Sequence, residues 1–452
     1  MLSLSQILAI VIFFLMFAAI TSGKIHRYIA AIIGAVLMIL VVFLGVMHSP
    51  DAFWRVLNLA QIGQSQFWVP GTHPIESQGV NWQTIIFIGG MMVMVVGLET
   101  AGFFRWLCLY TARLAGCRTM PILISFMVLS GFLSMFIDSI TVMLFLSMVT
   151  IELARLLKFD PVPMIVAEIF AANTGGAATM CGDPPNIIIG TAFGYTFTDF
   201  VVNTGPIAWA GMFLAVPYFY LIYRKVLNQG TDPAAMMKAC PLPSSAITNP
   251  RLFKLATAVF LLTVVLLITH AQTGLSVAII GVIAAVLSLF ISGREAGEII
   301  KHIDWRTLLF FLGLFICVGG LEVTGVLEKV AKLIGDVSGG NLTIAMSFIL
   351  WPSAILSAFV DNIPFAAAMV PIINDLSRVS GISLPVLAWS LSLGTDIGGN
   401  ATPIGASANV VGTAISEKEG YPIGWGRFIK YAALPMLLVV GLCNALLLWR
   451  YV

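Results

Sequence analysis

Four aspartates set among apolar or helix-breaking residues are the side chains of this sequence best placed to do chemistry. Asp138 and Asp361 stand between pairs of apolar arms, in Leu133-Ser134-Met135-Phe136-Ile137-Asp138-Ser139-Ile140 and Leu356-Ser357-Ala358-Phe359-Val360-Asp361-Asn362-Ile363. Asp183 and Asp396 lie in the glycine- and proline-rich stretches that follow. A carboxylate deep in an apolar run is costly to keep and marks an ion or proton site. Asp138 and Asp361 also precede new helices, so both read as N-caps as well, and the two roles are compatible. Their immediate neighbours Ser139, Thr141 and Asn362 add hydroxyl and amide groups to the same turns. Asp183 has two readings, an ion ligand or a cap on the helix after Pro184.

The second constellation is a pair of interrupted segments. Gly175-Gly176-Ala177-Ala178-Thr179-Met180-Cys181-Gly182-Asp183-Pro184-Pro185-Asn186 is echoed by Gly398-Gly399-Asn400-Ala401-Thr402-Pro403-Ile404-Gly405-Ala406-Ser407-Ala408-Asn409. Glycine loosens a helix and proline removes a backbone donor. Unwound backbone at membrane depth is tolerated only where protein or water surrounds it. Its carbonyls, with the side chains of Asn173, Thr174, Thr179, Asn186, Thr395, Asp396, Asn400, Thr402, Ser407 and Asn409, form a candidate coordination set for an ion. The half-helix N-termini also offer positive dipole ends to an anion.

Both constellations repeat at one offset of 223 residues, without a gap. Upstream, Trp82 through Gly102 aligns with Trp305 through Gly325, including Gly97-Leu98-Glu99 with Gly320-Leu321-Glu322. Asp138 matches Asp361, whereas Asp183 faces Ala406 and Asp396 faces Asn173 in this alignment. A duplicated apolar chain with helix breakers at matching places is the pattern of a secondary transporter. Glu99 and Glu322 are shared but fall toward segment ends, where a membrane-end or packing role is expected. Cys181 and the 20 methionines read as apolar filling.

The elements that must hold these residues are membrane helices. The chain has 452 residues, of which 59% are hydrophobic and only 10% charged, against about 25% charged in soluble domains. A net charge of +2 gives no case for nucleic acid. The six cysteines are scattered, so a disulfide framework is not expected. The five histidines avoid the repeated motifs, which argues against a histidine-ligated metal. Ile7 to Ser22 lacks a basic stretch before it and reads as a first span rather than a signal peptide.

The predicted fold class is an all-α polytopic membrane protein of two inverted-topology repeats. Each repeat has about five spans, with a re-entrant hairpin and an interrupted helix. The first repeat covers 1–223, with its hairpin at 121–157 and broken helix at 161–191. A polar linker follows at 224–252. The second repeat covers 253–452, with its hairpin at 343–378 and broken helix at 384–415. Amphipathic stretches are expected near 103–117 and 326–338. The loop 48–81, with Trp54, Trp68, Pro70 and Pro74, departs from the repeat and is expected on the membrane surface. With the N-terminus outside, only Arg55, Lys329, Lys332, Arg378 and Arg450 of the 23 lysines and arginines fall outside. The remaining eighteen then face the cytoplasm, as the positive-inside rule asks. The expectation is an integral plasma-membrane (bacterial inner-membrane) protein, both termini outside and the linker cytoplasmic.

These motifs resemble the ion transporter superfamily, in its citrate-transporter-like group. That group includes arsenite efflux permeases, NhaD-type sodium/proton antiporters and divalent-anion sodium symporters. The pattern is most similar to the melanosomal P protein branch, through Gly175–Thr179, Gly182–Asn186, Ile404–Val411 and, in part, Glu417–Tyr421. The resemblance implies inverted repeats whose hairpins and interrupted helices meet at mid-membrane, a separate scaffold, and often a homodimer. Dicarboxylate members carry Ser-Asn-Thr at the hairpin tips. Here the tips read Asp138-Ser139-Ile140-Thr141 and Asp361-Asn362-Ile363-Pro364, which speaks against a dicarboxylate.

The sequence reading is therefore a secondary transporter, foremost a Na⁺/H⁺ antiporter with Asp138 and Asp361 as the titratable pair. The site is expected to hold up to four aspartates and no lysine or arginine, and so to favour a cation or proton. No cofactor is expected beyond a coupling H⁺ or Na⁺, with Na⁺ near the hairpin tips and broken helices. The partners are a small ion or anion and the lipid bilayer. Alternatives are proton-coupled arsenite or antimonite efflux, uptake of a carboxylate or inorganic anion, and an anion channel. No His-Glu-x-x-His motif or Ser/His pair suggests an enzyme.

Overall fold

The computed structural model describes residues 2–69, 79–227 and 233–452, and every regular element among them is helical. The first half contains α1 (Leu4–Thr21), α2 (Arg27–Leu37, continued as a π-helix over Met38–Val46), α3 (Pro50–Leu57), α4 (Ser65–Trp68), α5 (Trp82–Thr100), α6 (Phe103–Leu114), α7 (Thr119–Leu133), α8 (Ser139–Leu157), α9 (Val162–Gly176), α10 (Pro184–Phe193), α11 (Phe197–Asn203) and α12 (Gly205–Leu227). A short α13 (Pro233–Ala239) lies in the linker. The second half contains α14 (Pro250–Thr273), α15 (Val277–Ser292), α16 (Ala296–His302), α17 (Trp305–Val323), α18 (Val326–Ser338), α19 (Leu342–Ser357), α20 (Asn362–Ser380), α21 (Leu384–Gly398), α22 (Ser407–Lys418) and α23 (Trp425–Tyr451).

Nine helical stretches among the described residues are long and apolar enough to cross a membrane. Their outward faces carry exposed Leu, Val, Ile and Phe side chains, Phe14, Phe213 and Phe290 among them. Such a surface is at home in lipid, because apolar faces of this extent do not stay in water. The chain is an integral membrane protein. The buried residues are concentrated elsewhere, and every residue of α9 is buried.

The 223-residue offset survives in the helix boundaries. α5 and α17, and α8 and α20, begin and end at matching positions. Their caps match too. Asn81 Oδ1 accepts from Thr84 N (3.1 Å) at the start of α5, and Asp304 Oδ1 accepts from Thr307 N (3.2 Å) at the start of α17. Each side-chain oxygen satisfies a backbone donor that the first turn leaves free.

Contacts are exchanged between halves. α5 packs on α15 of the second half, and α17 on α2 of the first. α8 packs on α22, and α10 on α20. Glycine makes the closest crossings possible. A Cβ on Gly90 would lie 2.2 Å from Gly281 O, and one on Gly313 would lie 2.6 Å from Ala31 C. Within each half, a Cβ on Gly175 would meet Gly131 O at 2.2 Å, and one on Gly398 would meet Ala354 Cα at 2.3 Å. With lipid on the outside, close backbone packing replaces the hydrophobic drive as the force between helices.

The loop expected over 48–81 is largely helical where described. Ser49 caps α3, Trp54 is exposed, and Trp68 Nε1 donates to Ile62 O at 3.0 Å; Pro70 and Pro74 lie outside the described residues. The cysteine expectation needs correcting. Cys117 and Cys240, 123 residues apart, form a disulfide, while Cys108, Cys181, Cys317 and Cys443 are free and buried. Spacing could not reveal the bridge, because the linker must first fold back against α6. There Arg113 Nη1 donates to Cys240 O at 3.0 Å.

Replacing Gly175 by alanine is expected to lower the melting temperature in detergent, at a cost of about 1–3 kcal/mol from overpacking. Gly441→Ala, where nothing lies within 4 Å, should leave it unchanged. Equal melting curves for the two variants would show that the α7–α9 crossing has slack.

Candidate functional site

Each broken helix is held open by the same two side chains. In the first, Asn186 Nδ2 donates to Gly176 O and Thr179 O, both at 3.1 Å. In the second, Asn409 Nδ2 donates to Gly399 O and Thr402 O, both at 2.7 Å. Each asparagine therefore takes up carbonyls that the end of α9 or α21 leaves without helical partners. Thr179 Oγ1 donates to Met135 O at 2.5 Å, and Thr402 Oγ1 donates to Ala358 O. Those bonds pin each break to the tip of its own hairpin, α7–α8 or α19–α20. Gly176 is confined as well, since its Cβ would fall 3.0 Å from Gly182 O.

The two tips converge on one carboxylate. Ser139 Oγ donates to Asp183 Oδ1 at 2.7 Å, and Asn362 Nδ2 donates to Asp183 Oδ2 at 2.5 Å. Ser139 and Asn362 occupy equivalent places in the repeat, so one residue from each hairpin grips the same group. Asp183 stands at the N-cap position of α10 but makes no capping bond to it. Asp396 of α21 stands beside Asp183 and Asn186. It is fully buried, and neither carboxylate oxygen has a hydrogen-bond partner. No ion pair among the described residues includes either aspartate.

Amides fill the rest of this centre. Asn173 Nδ2 donates to Asn400 Oδ1 (3.0 Å) and Asn409 Oδ1 (2.8 Å), while its own Oδ1 has no partner. Asn400 Nδ2 reaches Thr174 Oγ1 at 3.4 Å. Ser392 Oγ of α21 donates to Asn186 Oδ1 at 2.6 Å. Ser392 was missed by motif reading because it precedes the break, on the face of α21 that only packing turns inward.

Asp138 and Asp361 lie at the rim, half-buried. Both are N-caps. Asp138 accepts from Thr141 N (3.0 Å) and Thr141 Oγ1 (2.8 Å), and Asp361 accepts from Ile363 N (3.2 Å). The expectation of four aspartates without a basic partner is corrected here. Arg27 Nη1 lies 3.3 Å from Asp361 Oδ2 and 2.6 Å from Ser407 Oγ, and Ser407 donates to Asp361 at 3.1 Å. Arg27 Nη2 donates to Thr307 Oγ1 at 2.9 Å, and the guanidinium sits 5.2 Å from the Phe310 ring centroid. Arg27 begins α2, far from either motif in sequence, and only the packing of α2 on α17 delivers it. It ties the second hairpin tip and the start of α22 to α2 and α17.

Two cavities adjoin these groups. A cleft of about 390 Å³ is lined by Ile188 and Ala192 of α10, Ala367 and Val370 of α20, and the polar Asn81, Glu322, Asp375 and Arg378. α10 and α20 are the helices whose first turns carry Asn186 and Asn362. Glu322, expected to have a membrane-end or packing role, lines this cleft, and Glu99 is exposed at the end of α5. A small cavity of about 30 Å³ touches Asp138, Cys181 and Thr307.

Comparison with known proteins accords with this arrangement. Residues 11–394 match the family described as "Citrate transporter". The "46 kDa membrane protein" of Mycobacterium leprae is 30% identical over 449 residues, 99% of each chain. The P protein of Sus scrofa is 30% identical over 502 residues, covering 92% of this chain and 59% of the relative. Among solved structures, the YdaH transporter of Alcanivorax borkumensis aligns with a TM-score of 0.56 at 14% identity, covering 94% of this chain and 98% of that one. MtrF of Neisseria gonorrhoeae, described within a class of antimetabolite efflux pumps, aligns with a TM-score of 0.53 at 14% identity, covering 99% and 95%. At that identity the two structures speak for the fold alone. An apolar bundle with two interrupted helices, matched over most of its length by one family, places this chain in the citrate transporter family of membrane transporters.

Proposed function

We propose that this protein is a secondary active transporter that exchanges a small cation, Na⁺ foremost, for protons at Asp183 and Asp396. The observation that carries the reading is the pair itself: two adjacent buried carboxylates with hydroxyl and amide donors and no ion pair. Two like charges 4 Å apart repel by about 4 kcal/mol even at an effective dielectric of 20. The pair therefore calls for a positive partner, a shared proton or a metal cation. When the two compete for one position, loading one expels the other, which is the elementary requirement for exchange. Asp138 and Asp361, the leading pair on sequence, become tip-positioning groups in this reading.

Ser139 and Asn362 link the occupancy of that position to both hairpins. A cation between the carboxylates draws on the same Asp183 oxygens that the tips hold. Arg27 is the tie that must loosen if the second tip moves against α2 and α17. The proposed frame is a pair of inverted repeats in the plasma membrane, with both termini outside, the linker cytoplasmic and a homodimer as the working unit. The lysine and arginine distribution supports the orientation.

A second reading, cation-coupled uptake of a carboxylate, is favoured by the family match and by Arg27. Arg27, Ser407 and the start of α22 would receive a substrate carboxylate once Asp361 leaves. The departure of the tips from Ser-Asn-Thr weighs against it.

Proteoliposomes with an internal pH dye separate these readings. Addition of Na⁺ or Li⁺ is expected to drive proton efflux, and citrate or arsenite to have no effect. Asp183→Asn and Asp396→Asn should each weaken apparent cation affinity by about tenfold to a hundredfold, the scale of a lost charged ligand. Citrate-driven flux without a Na⁺ response would establish the second reading. Wild-type kinetics in both variants would remove the pair from the mechanism.

The Arg27 tie has its own measurement. Arg27→Gln and Asp361→Asn should each reduce thermal stability, and the double variant should be no worse than the poorer single one. The coupling expected of this partly buried pair is about 1 kcal/mol. Additive losses would mean that the two groups act independently.

A further inference from the structure

The first half buries a polar trio that the second half does without. Glu168, in the middle of α9, is fully buried; Thr150 Oγ1 of α8 donates to its Oε1 at 2.6 Å, and its Oε2 has no partner. Ser147, one turn earlier on α8, is also fully buried with an unpartnered Oγ. At the 223-residue offset these three places are Leu391, Ile373 and Val370, all buried and apolar. The same helix pair is therefore built without any polar side chain here, and the fold does not need one. A buried carboxyl group lowers stability unless it is matched, so its presence in one half alone asks for another reason.

We infer that Glu168 is a second proton-carrying group of the transport cycle, separate from the Asp183–Asp396 pair. The inference rests on the proton-coupled reading above. α9 ends in the central site, and Glu168 precedes Asn173 by five residues, about 7.5 Å along the axis. Its titratable neighbour on α6 is Cys108. The ionisable side chains of α8 are engaged elsewhere, Glu152 with Arg105 and Arg155 with Glu419. No ion pair among the described residues reaches Glu168. One free carboxylate oxygen and one hydroxyl are too few ligands for a dehydrated metal ion, which takes about six oxygens; a proton needs only one. The free Oε2 and Ser147 Oγ leave room in the hydrogen-bond count for that proton to be received and passed on.

The test uses the full chain in lipid vesicles. Infrared difference spectra between low and high pH are expected to contain a carboxylic-acid carbonyl band that vanishes in Glu168→Gln and shifts in Thr150→Val. Glu168→Leu copies the second half and should fold. Both Glu168 variants should lose at least about tenfold in cation-driven proton flux while the Na⁺-sensitive carboxylate bands of Asp183 and Asp396 remain. An unchanged band in Glu168→Gln, or wild-type flux and pH profile in both Glu168 variants, overturns the inference. If the wild-type protein carries no proton flux, the antiport reading fails, and the infrared arm alone decides for or against a protonating Glu168.

Discussion

The grip of Ser139 and Asn362 on Asp183 is the constraint on which the rest of the architecture depends. It joins two hairpin tips, 223 residues apart in the chain, through a single carboxylate. To reach it, each tip must enter the bundle. To admit the tips, α9 and α21 must break, and the breaks must be satisfied from within. Asn186 and Asn409 do that by binding the carbonyls that unwinding frees. The glycine crossings follow from the same demand, because helices that carry tips into a common centre must approach at backbone distance.

A symmetric frame with an asymmetric centre results. Threonine and asparagine repeat their roles in both halves, whereas the two carboxylates of the centre do not repeat. Symmetry supplies the enclosure, and its breaking supplies the charge. The same division separates centre from rim. Asp361 is neutralised by Arg27 and serves as a cap, while Asp396 is left with two unpartnered oxygens. Fully satisfied polar groups hold parts in place; unsatisfied buried ones store the capacity to bind.

Much of this was legible in the sequence. Glycine and proline dictate breaks locally, so the ends of α9 and α21 could be located from Gly175-Gly176, Pro184-Pro185 and Gly398-Gly399. Apolar run length gave the spans, and the constant offset gave matching boundaries. Other features were not legible. Arg27 counted only as one positive charge near a span end, and Glu168 and Ser392 sat unmarked inside apolar helices. The Cys117–Cys240 bridge crosses 123 residues. None of these has a local signal, because each depends on which helix face another helix covers.

Sequence alone determined that this chain is a duplicated, membrane-embedded helical protein with polar interruptions at matching places, since propensity, run length and repetition are properties of the chain itself. Tertiary structure decided which aspartates form the centre. Asp138 and Asp361 repeat, and packing leaves both at the rim as helix caps, with Asp361 also paired to Arg27. Asp183 and Asp396 look incidental because they do not repeat, yet packing sets them side by side with no ion-pair partner among the described residues. The role of a carboxylate is set by its neighbours in space, and α2, α21 and both hairpin tips become neighbours only when the two halves interlock.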